Sequence, residues 1–133
     1  MSNQHEELFI KHFIHRHRQH RWKEMFDDGN EGSVLHRLAH NYSTEIDPKY
    51  VLPIPKNEQS PDKIEKALRR YGKIDICWAM SEHDDHNKKS LPLKDALKDA
   101  LEQGFVVIVS CIPGKLCFYQ AEYAEQKYII FRE

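Results

Sequence analysis

The chain has 133 residues, 40% hydrophobic and 31% charged, with 20 basic side chains against 21 acidic ones and a formal net charge of -1. That length holds one ordinary domain and can bury a core without a disulfide or metal staple, and the charge balance excludes a disordered polyelectrolyte and a globally basic nucleic-acid binder. The unusual count is histidine: nine in all, seven of them within the first forty residues.

In chain order, residues 6–28 read as a helix whose apolar stripe is interrupted. Ile10, Phe13 and Ile14 share one face, Trp22 and Phe26 lie about 100° around from it on an ideal repeat, and residues 15–21 carry no apolar side chain. A straight helix cannot bury both clusters on one surface. The pattern therefore predicts a bend, a second contact surface or a protruding segment.

A turn cluster at 27–32 follows, then Ser33 as the N-cap of a short helix to about Asn41. Residues 47–55 are extended, and Pro53 and Pro55, which cannot donate to a ladder, make this an edge strand at best. Ser60-Pro61 places a cap and an N1 proline in the expected order before Ile64, Ala67, Leu68 and Tyr71. Residues 74–80 form a strand, 81–90 a polar loop, and Leu93, Ala96, Leu97, Ala100 and Leu101 the clearest helix, with Gly104 after it.

Residues 105–111 are apolar at five successive positions, as a strand buried on both faces should be. Beyond the Pro113-Gly114 turn, 115–121 and 126–132 form two more strands joined by a turn near 123–125. The expected fold is α/β to α+β: a mixed sheet in the order β-α-β-α-β-β-β, with two N-terminal helices packed on or beside it. The first three strands have crossovers suited to parallel pairing, and the last three form an antiparallel meander. The whole chain, 1–133, reads as a single domain, with 1–28 as the element able to protrude toward a partner.

No cationic segment followed by a long apolar run opens the sequence, and its longest apolar stretch, 105–109, is far short of a bilayer span. The expectation is a cytoplasmic protein with no membrane partner. Three cysteines, an odd count, fit reduced thiols. A two-residue hairpin at 113–114 sets Cys111 opposite Leu116 and Ser110 opposite Cys117, which turns the thiols of Cys111 and Cys117 to opposite faces.

The first candidate site is the segment 11–23. It carries Lys11, Arg16, Arg18, Arg21 and Lys23, the histidines His12, His15, His17 and His20, and no acidic residue. These cations could meet an acidic protein, a second copy of the chain or phosphates, with Arg16, Arg18, Arg21, Trp22 and Phe26 as the contacts. On a continuous helix they spread around the circumference instead of forming a stripe, which argues against nucleic acid. His17 falls on the side of Ile10 and Ile14 and should be partly buried.

The second candidate is a divalent-metal site drawn from His36, His40, Asp84, Asp85 and His86, with His83 beside it. His36 and His40 are four residues apart on one helix face, and the loop after the 74–80 strand stands where open sheets place ligands. A His-Glu-x-x-His peptidase is excluded because Arg37 occupies the position of the general base, and a cation cannot accept a proton. Glycine-rich phosphate loops and Gly-x-Ser-x-Gly elbows are absent from the sequence.

From Ile76 to Glu122 the chain resembles a scattered group of small bacterial proteins of unknown function. The likeness rests on the segment ending at Ser81, the acidic loop, Leu91-Pro92-Leu93 with Asp95-Ala96-Leu97, and Ser110-Cys111-Ile112-Pro113-Gly114-Lys115-Leu116. It implies a bacterial source and the fold, but no activity, cofactor or catalytic residue.

The leading reading is a non-catalytic binding or regulatory protein, using its basic, His-rich N-terminal helix to contact an acidic partner or itself, with no cofactor. The alternative is a metal-dependent, hydrolase-like enzyme on His36 and His40 with the 83–86 loop. The third is nucleic-acid binding through 11–23. Histidine protonation would add charge to a helix already basic, which predicts a pH-sensitive N-terminal surface.

Overall fold

The computed structural model describes residues 3–38, 41–104, 106–121 and 126–133. Among them are five α-helices and six strands: α1 (Gln4–Phe13), α2 (Arg16–Asp27), α3 (Glu31–Leu38), β1 (Val51–Pro53), α4 (Pro61–Arg69), β2 (Ile76–Ser81), β3 (Lys89–Pro92), α5 (Leu93–Gln103), β4 (Val107–Ile112), β5 (Leu116–Gln120) and β6 (Lys127–Phe131). The class is mixed α+β. The strands form one sheet in the order β1-β6-β5-β4-β2-β3, and every pair is antiparallel.

The bend in the N-terminal helix is a full break. Ile14 and His15 are extended, Ile14 bridges Ile46, and the His15 N–H donates to the Glu45 carbonyl at 2.8 Å. Each segment then turns its own stripe inward: Phe9, Ile10 and Phe13 from α1, and Trp22, Met25 and Phe26 from α2. The Gln19 amide donates to the Ile14 and Lys11 carbonyls, satisfying part of the frayed end of α1. α3 begins at Glu31, two residues before the expected Ser33 cap.

The parallel pairing expected for the first three strands does not occur. Residues 89–92, expected as the end of a polar loop and the opening of a helix, form β3, which folds back on β2 and reverses the chain before α5 departs. β4 therefore returns antiparallel to β2, with Trp78 opposite Ser110 and Ser81 opposite Val107. The remaining strands follow the expected meander, and β1, with its proline, pairs only with β6 at one edge. The first residue of the expected central strand, Phe105, and the turn near 123–125 lie outside the described residues.

Helices cover both faces of the sheet. α1, α2 and α3 pack on Met80, Ile108, Cys117, Tyr119 and Ile130. α4 and α5 pack on Cys77, Ala79, Val109, Cys111, Phe118 and Ile129. Alternate residues of β4 and its lead-in enter opposite cores, which is why residues 106–109 are apolar without interruption.

The cysteines are buried and free, with Cys111 and Cys117 in opposite cores as the hairpin register implies. The pairing includes a bulge at Cys111, so that Ile112, not Cys111, faces Leu116. Burial pushes the Cys117 thiol up to about 12. At the turn, Gly114 has φ +67, and an added Cβ would come within 2.6 Å of His12 Nδ1 and 2.9 Å of Leu8 Cβ. Glycine is required there twice over, by the left-handed backbone and by the approach of α1.

Candidate functional site

The break between α1 and α2 resets the helical phase, and this decides what the basic segment presents. Arg16, His17, His20, Arg21, Lys23, Glu24 and Asp27 are exposed. They fill an outward arc of about 160° on an ideal helix, while Trp22, Met25 and Phe26 fill the inward one. Arg16, Arg21 and Lys23 thus share one face; the scatter of the whole 11–23 segment comes from Lys11, which belongs to α1, and from Arg18, which turns inward to Glu45. Arg16 and Lys23 have no ion-pair partner among the described residues, and Arg21 meets Glu24 at 3.1 Å.

Three expected partner contacts, Arg18, Trp22 and Phe26, are consumed inside the molecule. The fully buried carboxylate of Glu45 accepts from Trp22 Nε1 at 3.0 Å, Arg18 Nε at 3.0 Å and the Thr44 hydroxyl at 3.0 Å. Burial pushes this carboxyl up, but the hydrogen bonds from Trp22, Arg18 and Thr44, with the charge of Arg18, outweigh it and hold Glu45 below the ordinary carboxylate value. Trp22 is 0% exposed and stacks on Phe26, itself buried, at 5.8 Å. Burying an indole removes roughly 200 Å² from water, worth up to about 5 kcal/mol, which an exposed contact could not match. Trp22 and Phe26 are core residues, and Arg18 is their anchor.

The histidines divide in the same way. His5 Nδ1 lies 2.7 Å from Ser110 Oγ, His12 Nδ1 2.9 Å from the Gly114 carbonyl and His15 Nε2 2.8 Å from the Ser43 carbonyl. Burial holds His5 below the ordinary imidazole value. His17, expected to be partly buried, is exposed and stacks on His15 at 5.5 Å, because the break rotates it outward.

Of the metal candidates, His36 folds onto the start of the acidic loop, its Nδ1 2.9 Å from Glu82 Oε2. His86 turns the other way, to Asp99 of α5 at 2.9 Å. Asp85 is exposed; His40 and the side chain of Asp84 lie outside the described part. Among the described residues no group of three or more His, Cys, Asp or Glu side chains could hold a metal ion.

The structure also assembles a cluster that sequence reasoning missed. Glu6 of α1 and Glu31 of α3 are 4% and 5% exposed, and Lys88, in the connection between β2 and β3, stands between them. Lys88 Nζ is 3.3 Å from Glu6 Oε2 and 3.9 Å from Glu31 Oε1. Trp78 Nε1 donates to Glu6 Oε2 at 2.9 Å, and the Asn87 amide to Glu31 Oε1 at 2.8 Å. Glu31 Oε2 is buried without a hydrogen-bond partner. A signal for this cluster was present, since Glu6 precedes Phe9, Ile10 and Phe13, and Glu31 precedes Val34, Leu35 and Leu38, at core spacing on their helices. A carboxylate at a core position of an apolar stripe is the anomaly to look for.

Glu6 and Phe26 also line a cleft of about 670 Å³ between α1 and α2, whose rim carries Glu7, Lys11, Lys23 and Asp27. No described helix is long and apolar enough to cross a membrane. Comparisons with protein-family profiles, curated proteins and solved structures found no match to this chain.

Proposed function

We propose that this chain is a single-domain, non-catalytic binding protein of the bacterial cytoplasm that docks an acidic protein surface on the outward face of α2. The observation that carries this reading is the segregation of charge around α2: Arg16, Arg21 and Lys23 point outward with His17 and His20, while every apolar residue of α2 points inward. Reduced, buried cysteines support a reducing compartment.

The local energetics point the same way. The first turn of α2 contains Arg16 and Arg18 and no acidic residue, and its N-cap, His15, makes no side-chain cap bond. Cations there oppose the helix dipole at a cost of about 0.3–1 kcal/mol each. Arg18 recovers that cost through Glu45; Arg16 has no such return inside the fold. Residues that break a local rule without an internal gain mark surfaces kept for a partner.

An acidic protein fits better than nucleic acid. The whole chain carries -1, so nothing beyond the face adds attraction for a long polyphosphate, and three cations interrupted by Glu24 and Asp27 match a short acidic segment. The test is fluorescence anisotropy of a labelled Glu/Asp-rich peptide and of a single-stranded DNA oligomer, each titrated with the full chain across a range of salt. The reading predicts that the peptide binds with salt-sensitive affinity and that Arg16→Glu/Arg21→Glu/Lys23→Glu weakens it at least about tenfold. Tighter binding of the DNA, or self-association by light scattering that the triple variant abolishes without affecting peptide binding, would overturn the choice of partner.

A further inference from the structure

The geometry points to a binding site for a primary alkylammonium, in which the Lys88 ammonium occupies the ligand's place between Glu6 and Glu31. Two carboxylates, each more than nine-tenths buried, cost several kcal/mol in desolvation, and a fold does not need a pair of them to join α1, α3 and the connection between β2 and β3. What they build is a cation seat. Phe26 offers its ring face to Lys88 Nζ at 5.9 Å, while Trp78 holds Glu6 Oε2 and Asn87 holds Glu31 Oε1 by hydrogen bonds that fix both carboxylates in place.

Lys88 fills this seat poorly. Its ammonium stands 3.3 to 3.5 Å from the two Glu6 oxygens and 3.9 Å from Glu31 Oε1. Charge-assisted N–H···O contacts settle near 2.7–2.9 Å. Glu31 Oε2, the buried oxygen with no partner, is the acceptor that the tethered amine leaves unused. Lys88 is also the one non-glycine among the described residues with positive φ, at 58°, so the tether reaches the seat only from a left-handed backbone. A free ammonium has three donors and no such tether, and can draw in to both carboxylates.

The way in is the α1–α2 cleft, because Glu6 and Phe26 belong to both the seat and the cleft wall. Lys88 is 40% exposed and can swing aside into solvent. An alkyl chain behind the ammonium then lies along the cleft, beside Leu8 and Ile10. The ligand class is therefore a primary alkylamine. The metal reading is not served here, since two carboxylates next to a lysine do not form a three-ligand set.

The experiment titrates the wild-type chain and Lys88→Gly with n-butylammonium, 1,4-diaminobutane and, as a control with the charge of butylammonium but no N–H donor, tetramethylammonium, following thermal stability. Glycine accepts the left-handed backbone and removes the tethered competitor. The expected result is a saturable rise in Tm with butylammonium and diaminobutane, at least about tenfold tighter in Lys88→Gly than in wild type, and no saturable rise with tetramethylammonium. Glu31→Gln in the Lys88→Gly background should abolish the gain. If Lys88→Gly does not fold, wild type against Glu31→Gln decides: diaminobutane must bind wild type more tightly. A peptide carrying one lysine between alanines separates the sources, because tighter binding than diaminobutane assigns the seat to a protein side chain and weaker binding to a free amine. Equal responses to all three cations in every variant would overturn the proposal.

Discussion

Glu45 ties the N-terminal half together through polar contacts that no apolar stripe advertises. One carboxylate gathers Trp22, Arg18 and Thr44, and its backbone takes the amide of His15 at the helix break. Removing it leaves the Arg18 charge and the indole N–H without an acceptor, so Glu45→Ala should destabilise the fold by about 3–5 kcal/mol in urea unfolding, and Glu45→Gln, which keeps one acceptor, by less. A loss within a few tenths of a kcal/mol would show the cluster to be incidental. Because the folded state holds this carboxyl below its ordinary value, its contribution is complete above that value and disappears as the pH falls through the folded one. None of this was legible at position 45, which sits in a polar stretch between helix and strand. Trp22 was legible as a residue in need of burial, but the partner that its N–H required was not.

At the scale of elements, the break at Ile14 and His15 is the decisive event. The sequence carries its cause, two apolar clusters out of phase, but not its location, because the break is stabilised by Ile46 and Glu45 from another segment. Treating 6–28 as one helix therefore misplaced His17 and set Lys11 on one cylinder with the cations of α2. The same break lets α1 dock on β4 through His5 and Ser110, and on the 113–114 turn through His12. Burial favours neutral His5, so its folded value lies below its unfolded one. Its contribution is intact above about pH 6.5 and is lost as the pH falls through the folded value. Wild type should lose stability across that acidic window more steeply than His5→Gln, measured by thermal unfolding. Parallel curves would contradict the assignment.

At the scale of the whole molecule, the element types and most of the meander were legible, and the direction of the early strands was not. Helical crossovers between the first three strands suggested parallel pairing, yet a crossover that starts after the added strand β3 delivers β4 antiparallel to β2. The reversal depends on β3, whose Lys89 and Ser90 lack strand periodicity and pair with β2 through register alone. The Glu6–Lys88–Glu31 cluster escaped for a related reason: its members come from three elements, and only their meeting gives them meaning.

The central claim is that the outward face of α2 is kept basic for a partner at some expense to the fold. Arg16→Glu separates the two, because a carboxylate in the first turn suits the helix dipole while removing a cation from the binding face. The account predicts that this single substitution raises stability by about 0.3–1 kcal/mol and weakens binding of the acidic peptide in the same preparation. A destabilised Arg16→Glu chain that binds the peptide unchanged would contradict it.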